Sequence, residues 1–316
     1  MSEGWIQVRR PGLLTTVQDL GRWGHQALGV PVAGPMDVYS HRLANLLVGN
    51  AADAAGVEVT LIGPDLEFDA PAMVAVCGAD FDISVNGQNV STGMSFAVPE
   101  GARVQFGRRR AGARAYLAVA GGLQTPILLG SRATHLVSGM GGIDGRALIA
   151  GDRLAYVPYE GAPLTRRGPL TILPSQGGAR LRILAGPQAD WFSESARNTL
   201  SSVSFRVSPR SNRMGYRLEG PPLARAHDGE PISEPTPFGA IQVPSAGEPI
   251  LLMADRQTAG GYPKIGSVIA ADLPVAGQLA PGDRIEFAWC TRHEAAAALI
   301  ARERPLLRVA DADGRA

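Results

Sequence analysis

GARVQFG at 101–107 and GDRIEFAW at 282–289 decide how the rest of the chain is read. In the first, Val104 and Phe106 alternate with Arg103 and Gln105; in the second, Ile285 and Phe287 alternate with Arg284 and Glu286. Strict alternation is what a strand with one buried face requires. A glycine leads each segment, as a turn into a strand would. The two also match each other as G-x-R-x-x-F at an offset of 181. A strand that recurs so far along the chain predicts two related β units.

Further matches run in the same order. At an offset of 175–176, Arg42-Leu43 falls on Arg217-Leu218, Glu58 on Glu234, Gly63 on Gly239, and Ala79-Asp80 on Ala254-Asp255. Between the halves lies a proline- and glycine-rich stretch that suits a linker. The expected division is a β domain over 1–165, a linker over 166–179 and a second β domain over 180–316. Short apolar runs bounded by turn residues read as strands: ILLGS, MVAVCG, ARAYLAVAGG, LRILAG and PILLMAD. Helices are few. One is expected over 37–48 from Asp37, with Leu43, Leu46 and Leu47 on one face. Another is expected over 292–303, opened by a Thr291–Glu294 capping box and stopped before Pro305. A third follows Asp190. The class is mainly β with peripheral helices.

Composition narrows the function. The chain has 316 residues, 45% hydrophobic, with a net charge of +1, which fits neither a disordered segment nor a strongly basic nucleic-acid binder. RRR at 108–110 has no interleaved aromatics and reads as a solvated turn. Cys77 and Cys290 sit in apolar sequence without framework spacing and read as buried free thiols of a cytoplasmic protein. No apolar run is long enough to span a bilayer, so no membrane association is expected. Five scattered histidines with no HExxH or CxxC predict no metal site.

One loop stands apart. DRQTAGGYPKIG at 255–266 carries Lys264, the only lysine among 30 basic residues. Ammonium is a compact point charge, whereas guanidinium is a planar fork, so a lysine kept among arginines is a candidate for chemistry. Pro263 before it and Ile265 after it exclude a Walker A loop, which needs G-K-[ST] leading a helix. GMGGIDG at 139–145 likewise fails G-x-G-x-x-G and reads as a turn. The loop is expected to gather Asp255, Arg256, Gln257, Tyr262 and Lys264: Asp255 and Lys264 for proton transfer, or Arg256 and Lys264 for an anion. A salt-bridged structural loop is the alternative. SNRMGYRLEG adds Asn212 and Arg213 as anion-recognition candidates, with Arg217 and Glu219 as a surface pair. Glu234 and Gln242 are polar groups among strand-forming residues; no G-x-S-x-G supports a serine hydrolase. In the first half, Asp19, Arg22 and His25 either line a cleft or brace their loop, and bracing is favoured.

TVQDLGRWGHQALGVPVAGPMD, SNRMGYRLEG, GAIQVPSAGEPI, LMADRQTAGGYPKIG and PGDRIEF, in this order, resemble the KipA family. That family is also known as the 5-oxoprolinase C subunits, as allophanate hydrolase subunit 2 or as the biotin-dependent carboxyltransferase family, and it is similar to the carboxyltransferase portion of urea carboxylase. The resemblance implies two cyclophilin-like β-barrel domains. It implies a partner, the KipI-type B subunit of 5-oxoprolinase, together with its A subunit, in ATP-dependent opening of 5-oxoproline to glutamate. A urea-directed carboxyltransferase and a non-catalytic regulator of KipI are the alternatives. The chain has no biotin-accepting M-K-M motif, so any biotin would come in trans. It has no recognisable ATP site either, which places the nucleotide between subunits or on another subunit. Lys264 and Asp255 are the expected catalytic pair, with Arg256, Gln257, Tyr262, Arg213, Asn212, Glu234 and Gln242 expected around the substrate.

Overall fold

The computed structural model describes residues 3–162, 165–175, 177–227 and 229–311. The chain forms two compact units. The first comprises the chain up to Arg22, Ala33–Leu173 and the segment from Glu303 on; the second comprises Trp23–Val32 and Pro174–Arg302. The division thus differs from a single cut at a linker, because 23–32 goes with the second unit and the segment from 303 with the first. Gln176, within the expected linker, lies outside the described residues.

The first unit is a nine-stranded sheet built on two long antiparallel strands, Ala72–Val85 and Arg103–Val119. MVAVC reads as an unbroken apolar run because this part of the sheet is covered on both faces. Val74 and Val76 pack with Phe68, Phe106 and Leu117 on one face. Met73, Ala75 and Cys77 pack on the other against Tyr39, Leu43 and Leu47 of a helix, Val38–Leu47. Asp37 caps that helix, accepting from the Ser40 N–H at 2.9 Å, as its sequence predicts. Burying leucines such as Leu43 and Leu47 contributes roughly 1.5–3 kcal/mol each.

The second unit is a closed seven-stranded barrel. Around it run Gly178–Ala185, Lys264–Val268, Ala240–Gln242, Ile250–Leu252, Gly215–Glu219, Ser204–Val207 and Arg284–Trp289. A parallel pairing of the first and last strands closes it, and Phe205 and Phe287 meet inside at 6.2 Å between ring centroids. Closure leaves the barrel without an exposed edge and fixes the register of its strands.

The two fold-deciding segments adopt the same local structure. Ala102 N–H bonds Pro99 O and Asp283 N–H bonds Ala280 O, both at 3.1 Å, with Gly101 and Gly282 at positive φ in the turn. The strands then begin at Arg103 and Arg284. The Arg42-Leu43 match to Arg217-Leu218 has no such counterpart, since the first pair lies on a helix and the second on a strand.

Two local expectations are corrected. ILLGS is a turn, not a strand: Leu128 N–H and Ser131 N–H exchange bonds with each other's carbonyls, and Leu129 has φ +53°. The last helix runs Arg292–Asp311, through Pro305. Proline removes a backbone donor inside a helix, but Leu306, the next residue, is fully buried in the cluster of Tyr39 and Leu43, and Arg42 holds Glu303 at 2.8 Å. Tertiary packing thereby outweighs the local cost. The helix expected after Asp190 is present as Glu194–Ser202, capped by Ser193, with a short 3-10 turn, Ala189–Trp191, before it.

Candidate active site

Lys264 opens the strand Lys264–Val268 and lies opposite Gln242, just past a register shift between Ile241 and Gln242. Its side chain is 4% exposed, and its ammonium reaches Glu234 Oε1 at 2.6 Å. Burying an ammonium is unfavourable unless it is paired, and the Glu234 carboxylate supplies the partner. Glu234, 34% exposed, keeps one side toward solvent. The ammonium beside it holds its carboxyl below the usual carboxylate range, with a smaller contribution from Gln188.

Gln188 connects these groups. Its Nε2 donates to Glu234 Oε1 at 2.8 Å, while its Oε1 accepts from the Lys264 backbone N–H at 3.0 Å. The turn that presents it must touch the Lys264 strand, and a Cβ at Gly186 would lie 2.2 Å from Lys264 O. Only glycine permits that approach.

Two amides complete the cluster. Gln257 Nε2 donates to Gln242 Oε1 at 3.2 Å, and Gln242 Nε2 is buried without an acceptor among the described residues. A buried donor left unpaired costs about 1–3 kcal/mol, a cost that a ligand acceptor would remove. Both amides lie against Gly260, where a Cβ would meet Gln242 Nε2 at 2.9 Å and Gln257 Nε2 at 3.1 Å. Gly260 in turn pairs with Glu234 in a two-residue ladder, so the paired glycines bring the loop down onto the site.

The structure separates the loop's charged residues into two groups. Lys264 has Glu234 as its carboxylate partner. Asp255 is gripped by Arg213, Nε to Oδ2 and Nη2 to Oδ1, both at 2.9 Å and both side chains buried. Backbone bonds from Met253 N to Met214 O and Asp255 N to Arg213 O zip the same two segments together. Arg256 donates to Thr236 O at 2.8 Å and stacks over Phe238, and burial brings its guanidinium down to about 10. Tyr262 is 45% exposed. Asn212 is exposed, and its side-chain oxygen accepts from the Met214 N–H at 2.8 Å. Arg217 and Glu219 both point to solvent.

Gln188 carries no signal in the sequence, because it lies outside the loop, on a turn with no distinguishing pattern. In the first unit, Asp19 and Arg22 brace their loop. Asp19 accepts from Ser131 Oγ, Arg132 N and Gly21 N; the fully buried Arg22 donates to Leu128 O and Ala133 O. His25 belongs to the second unit, at the start of a 3-10 turn, Gln26–Leu28. Among the described residues no group of three or more His, Cys, Asp or Glu side chains is placed to hold a metal ion, and no helix is long and apolar enough to cross a membrane.

Fold and site together define a mainly β protein whose closed barrel carries a buried lysine–carboxylate pair beside amide donors, a set suited to a polar carbonyl group. The chain belongs to the carboxyltransferase domain family: the family's model, covering subdomains A and B, matches residues 28–289. It is 39% identical to the C subunit of 5-oxoprolinase from Escherichia coli (strain K12), over 92% of this chain and 93% of that protein. The Haemophilus influenzae 5-oxoprolinase C subunit is 35% identical, over 89% and 90% respectively. The crystal structure of Kluyveromyces lactis urea carboxylase superposes with a TM-score of 0.90 at 31% identity, over 96% of this chain and 29% of that much longer one.

Proposed function

We propose that this chain is one subunit of an ATP-dependent 5-oxoprolinase, working with a KipI-type B subunit, and with an A subunit. The observation that carries this reading is the buried Lys264–Glu234 pair beside the unpaired Gln242 Nε2. Opening 5-oxoproline breaks the lactam C–N bond: water supplies oxygen to the carbonyl carbon and a proton to the nitrogen, and ATP drives the step. Negative charge builds on the lactam oxygen as the carbonyl carbon is attacked. An ammonium and an amide N–H fixed near that oxygen stabilise the charge without reorganising, and such donors are worth about 10²–10³-fold in rate. Glu234 sets the position of the ammonium, and its solvent-facing side leaves it able to exchange protons. Gln188 and Gln257 hold the cluster in place, while Arg213 and Asp255 anchor the loop that delivers it. The near-complete alignment with two proteins named as C subunits of 5-oxoprolinase supports this substrate over urea, whose named relatives match only through a fraction of longer chains.

The test is Lys264→Arg in the complex assembled by coexpression. Charge is conserved, but the guanidinium's planar fork cannot occupy the space of a paired ammonium. ATP-coupled glutamate formation from 5-oxoproline is expected to fall at least a hundredfold with assembly unchanged. Wild-type rates in that variant would overturn the role given to Lys264.

A further inference from the structure

The second unit also holds a cavity of about 350 Å³ that the lysine cluster does not use. Its size falls within the range of small-molecule sites, about 300–1,000 Å³. Arg225, His227, Glu230 and Ser245 supply its polar wall. His227 is held by stacking on Trp191 at 4.2 Å between ring centroids.

Arg225 is the feature that needs explaining. Its side chain is 10% exposed. Nη1 donates to Glu230 Oε1 at 2.9 Å and Nη2 to Val243 O at 2.6 Å, but Nε is buried without an acceptor among the described residues. Nε and Nη2 share one edge of a guanidinium, and Nη2 has a second N–H. Carboxylates dock side-on along that edge. Asp255 does so on Arg213 in this same unit, using the same two nitrogens. Among the described residues no carboxylate meets this edge of Arg225, while Glu230 sits on the other side of the fork.

The cavity adjoins the lysine cluster along the chain. Val243, which accepts from Arg225, follows Gln242 and bonds Pro263 O through its N–H at 3.0 Å. From Arg225 the chain passes Glu230 and Pro231, whose carbonyl lies 3.4 Å from where a Gly261 Cβ would be, and reaches Glu234 on Lys264. The described residues 225–227 and 229–234 therefore carry both the orphaned guanidinium edge and the carboxylate of the lysine pair.

We propose that this cavity is a carboxylate subsite and that Arg225 reads the ring carboxylate of a small cyclic amide such as 5-oxoproline. The proposal rests on the functional reading above and adds the basis of substrate choice. A lactam acid has a carbonyl to offer the lysine–amide cluster and a carboxylate to offer Arg225, whereas urea has no carboxylate for the second.

The experiment is isothermal titration of the full chain, alone and in the assembled complex, with L-5-oxoproline, its carboxamide and 2-pyrrolidinone. Wild-type protein is expected to bind L-5-oxoproline at least tenfold tighter than either neutral lactam. Arg225→Gln should remove that preference and leave the Kd for 2-pyrrolidinone unchanged; Arg225→Lys should restore it only in part. Equal affinity of wild-type protein for the acid and its carboxamide would overturn the proposal without any variant. So would an unchanged preference in Arg225→Gln. A complex that cleaves 5-oxoproline with the same KM in Arg225→Gln refutes the subsite and leaves the function standing. An Arg225-dependent preference in a complex that does not cleave 5-oxoproline refutes the function and upholds the subsite.

Discussion

Asp255 shows how two residues close in sequence can serve different ends. It lies nine positions before Lys264 in one loop, and spacing alone pairs the two. In the fold, strand pairing turns Asp255 toward Arg213, and the fully desolvated, bidentate pair that results holds the start of the loop. Breaking such a pair by removing one charge leaves the other buried and uncompensated, which typically costs about 3–5 kcal/mol. Asp255→Asn is therefore expected to lower the stability of the protein by that order, read from a urea-unfolding midpoint. A variant as stable as wild type would show that Asp255 does not brace the loop. Lys264 carried a signal in composition, as the one lysine among arginines. Its actual partner did not, because Glu234 stands 30 residues away and meets it only through the Glu234–Pro235 and Ala259–Gly260 ladder. Gln188, another distant residue, was invisible for the same reason.

Among the elements, those whose sequence carries their own stop signals were legible, and those decided by packing were not. Asp37 caps the helix Val38–Leu47 and Thr291 opens the last helix, each with the hydrogen bonds its sequence announces. Pro305 announces an end that the burial of Leu306 overrides. ILLGS has the composition of a strand, yet its backbone closes into a turn that also gives Leu128 O to Arg22. The helix Val38–Leu47 further carries a pH response. His41 lies buried against Tyr116, edge to face at 5.9 Å, and within reach of Asn45. Burial brings its imidazole down from 6.5 to about 4, against the pull of Asp19 and Glu58. The folded state thus keeps His41 neutral while the unfolded chain takes up a proton. The associated stability is complete above about pH 6.5 and is lost as pH falls from there toward 4. Between pH 7 and pH 5 this amounts to about 2 kcal/mol. Unfolding midpoints at the two pH values should differ accordingly, and His41→Gln should flatten the difference; an equally steep loss in that variant would assign it to other groups.

At the scale of the molecule, the halves use a shared β vocabulary for different work. The equivalent turns at Gly101 and Gly282 start equivalent strands, but the first unit leaves its sheet open while the second closes its barrel. The matched glutamates diverge likewise. Glu58 is buried and accepts from Met36 N and Tyr116 OH, at 2.9 and 2.8 Å, whereas Glu234 holds the ammonium and keeps contact with solvent. A lysine–carboxylate cluster present in one half only explains why a repeat legible in sequence did not by itself locate the candidate site. It also bears on what the assembled protein should do. The lysine cluster can polarise a carbonyl, and in the proposed reaction the remaining steps are shared with the partner subunits. The isolated chain should accordingly release no glutamate from 5-oxoproline with ATP, and coexpression with the KipI-type partner and the third component of the complex should produce that activity. Urea with ATP should remain uncleaved in the same complex. Avidin, which sequesters biotin, should leave the rate unchanged, because nothing in the proposed reaction passes through a carboxyl carrier. Inhibition by avidin, or consumption of urea in preference to 5-oxoproline, would instead place this chain with the urea-directed carboxyltransferases of its family.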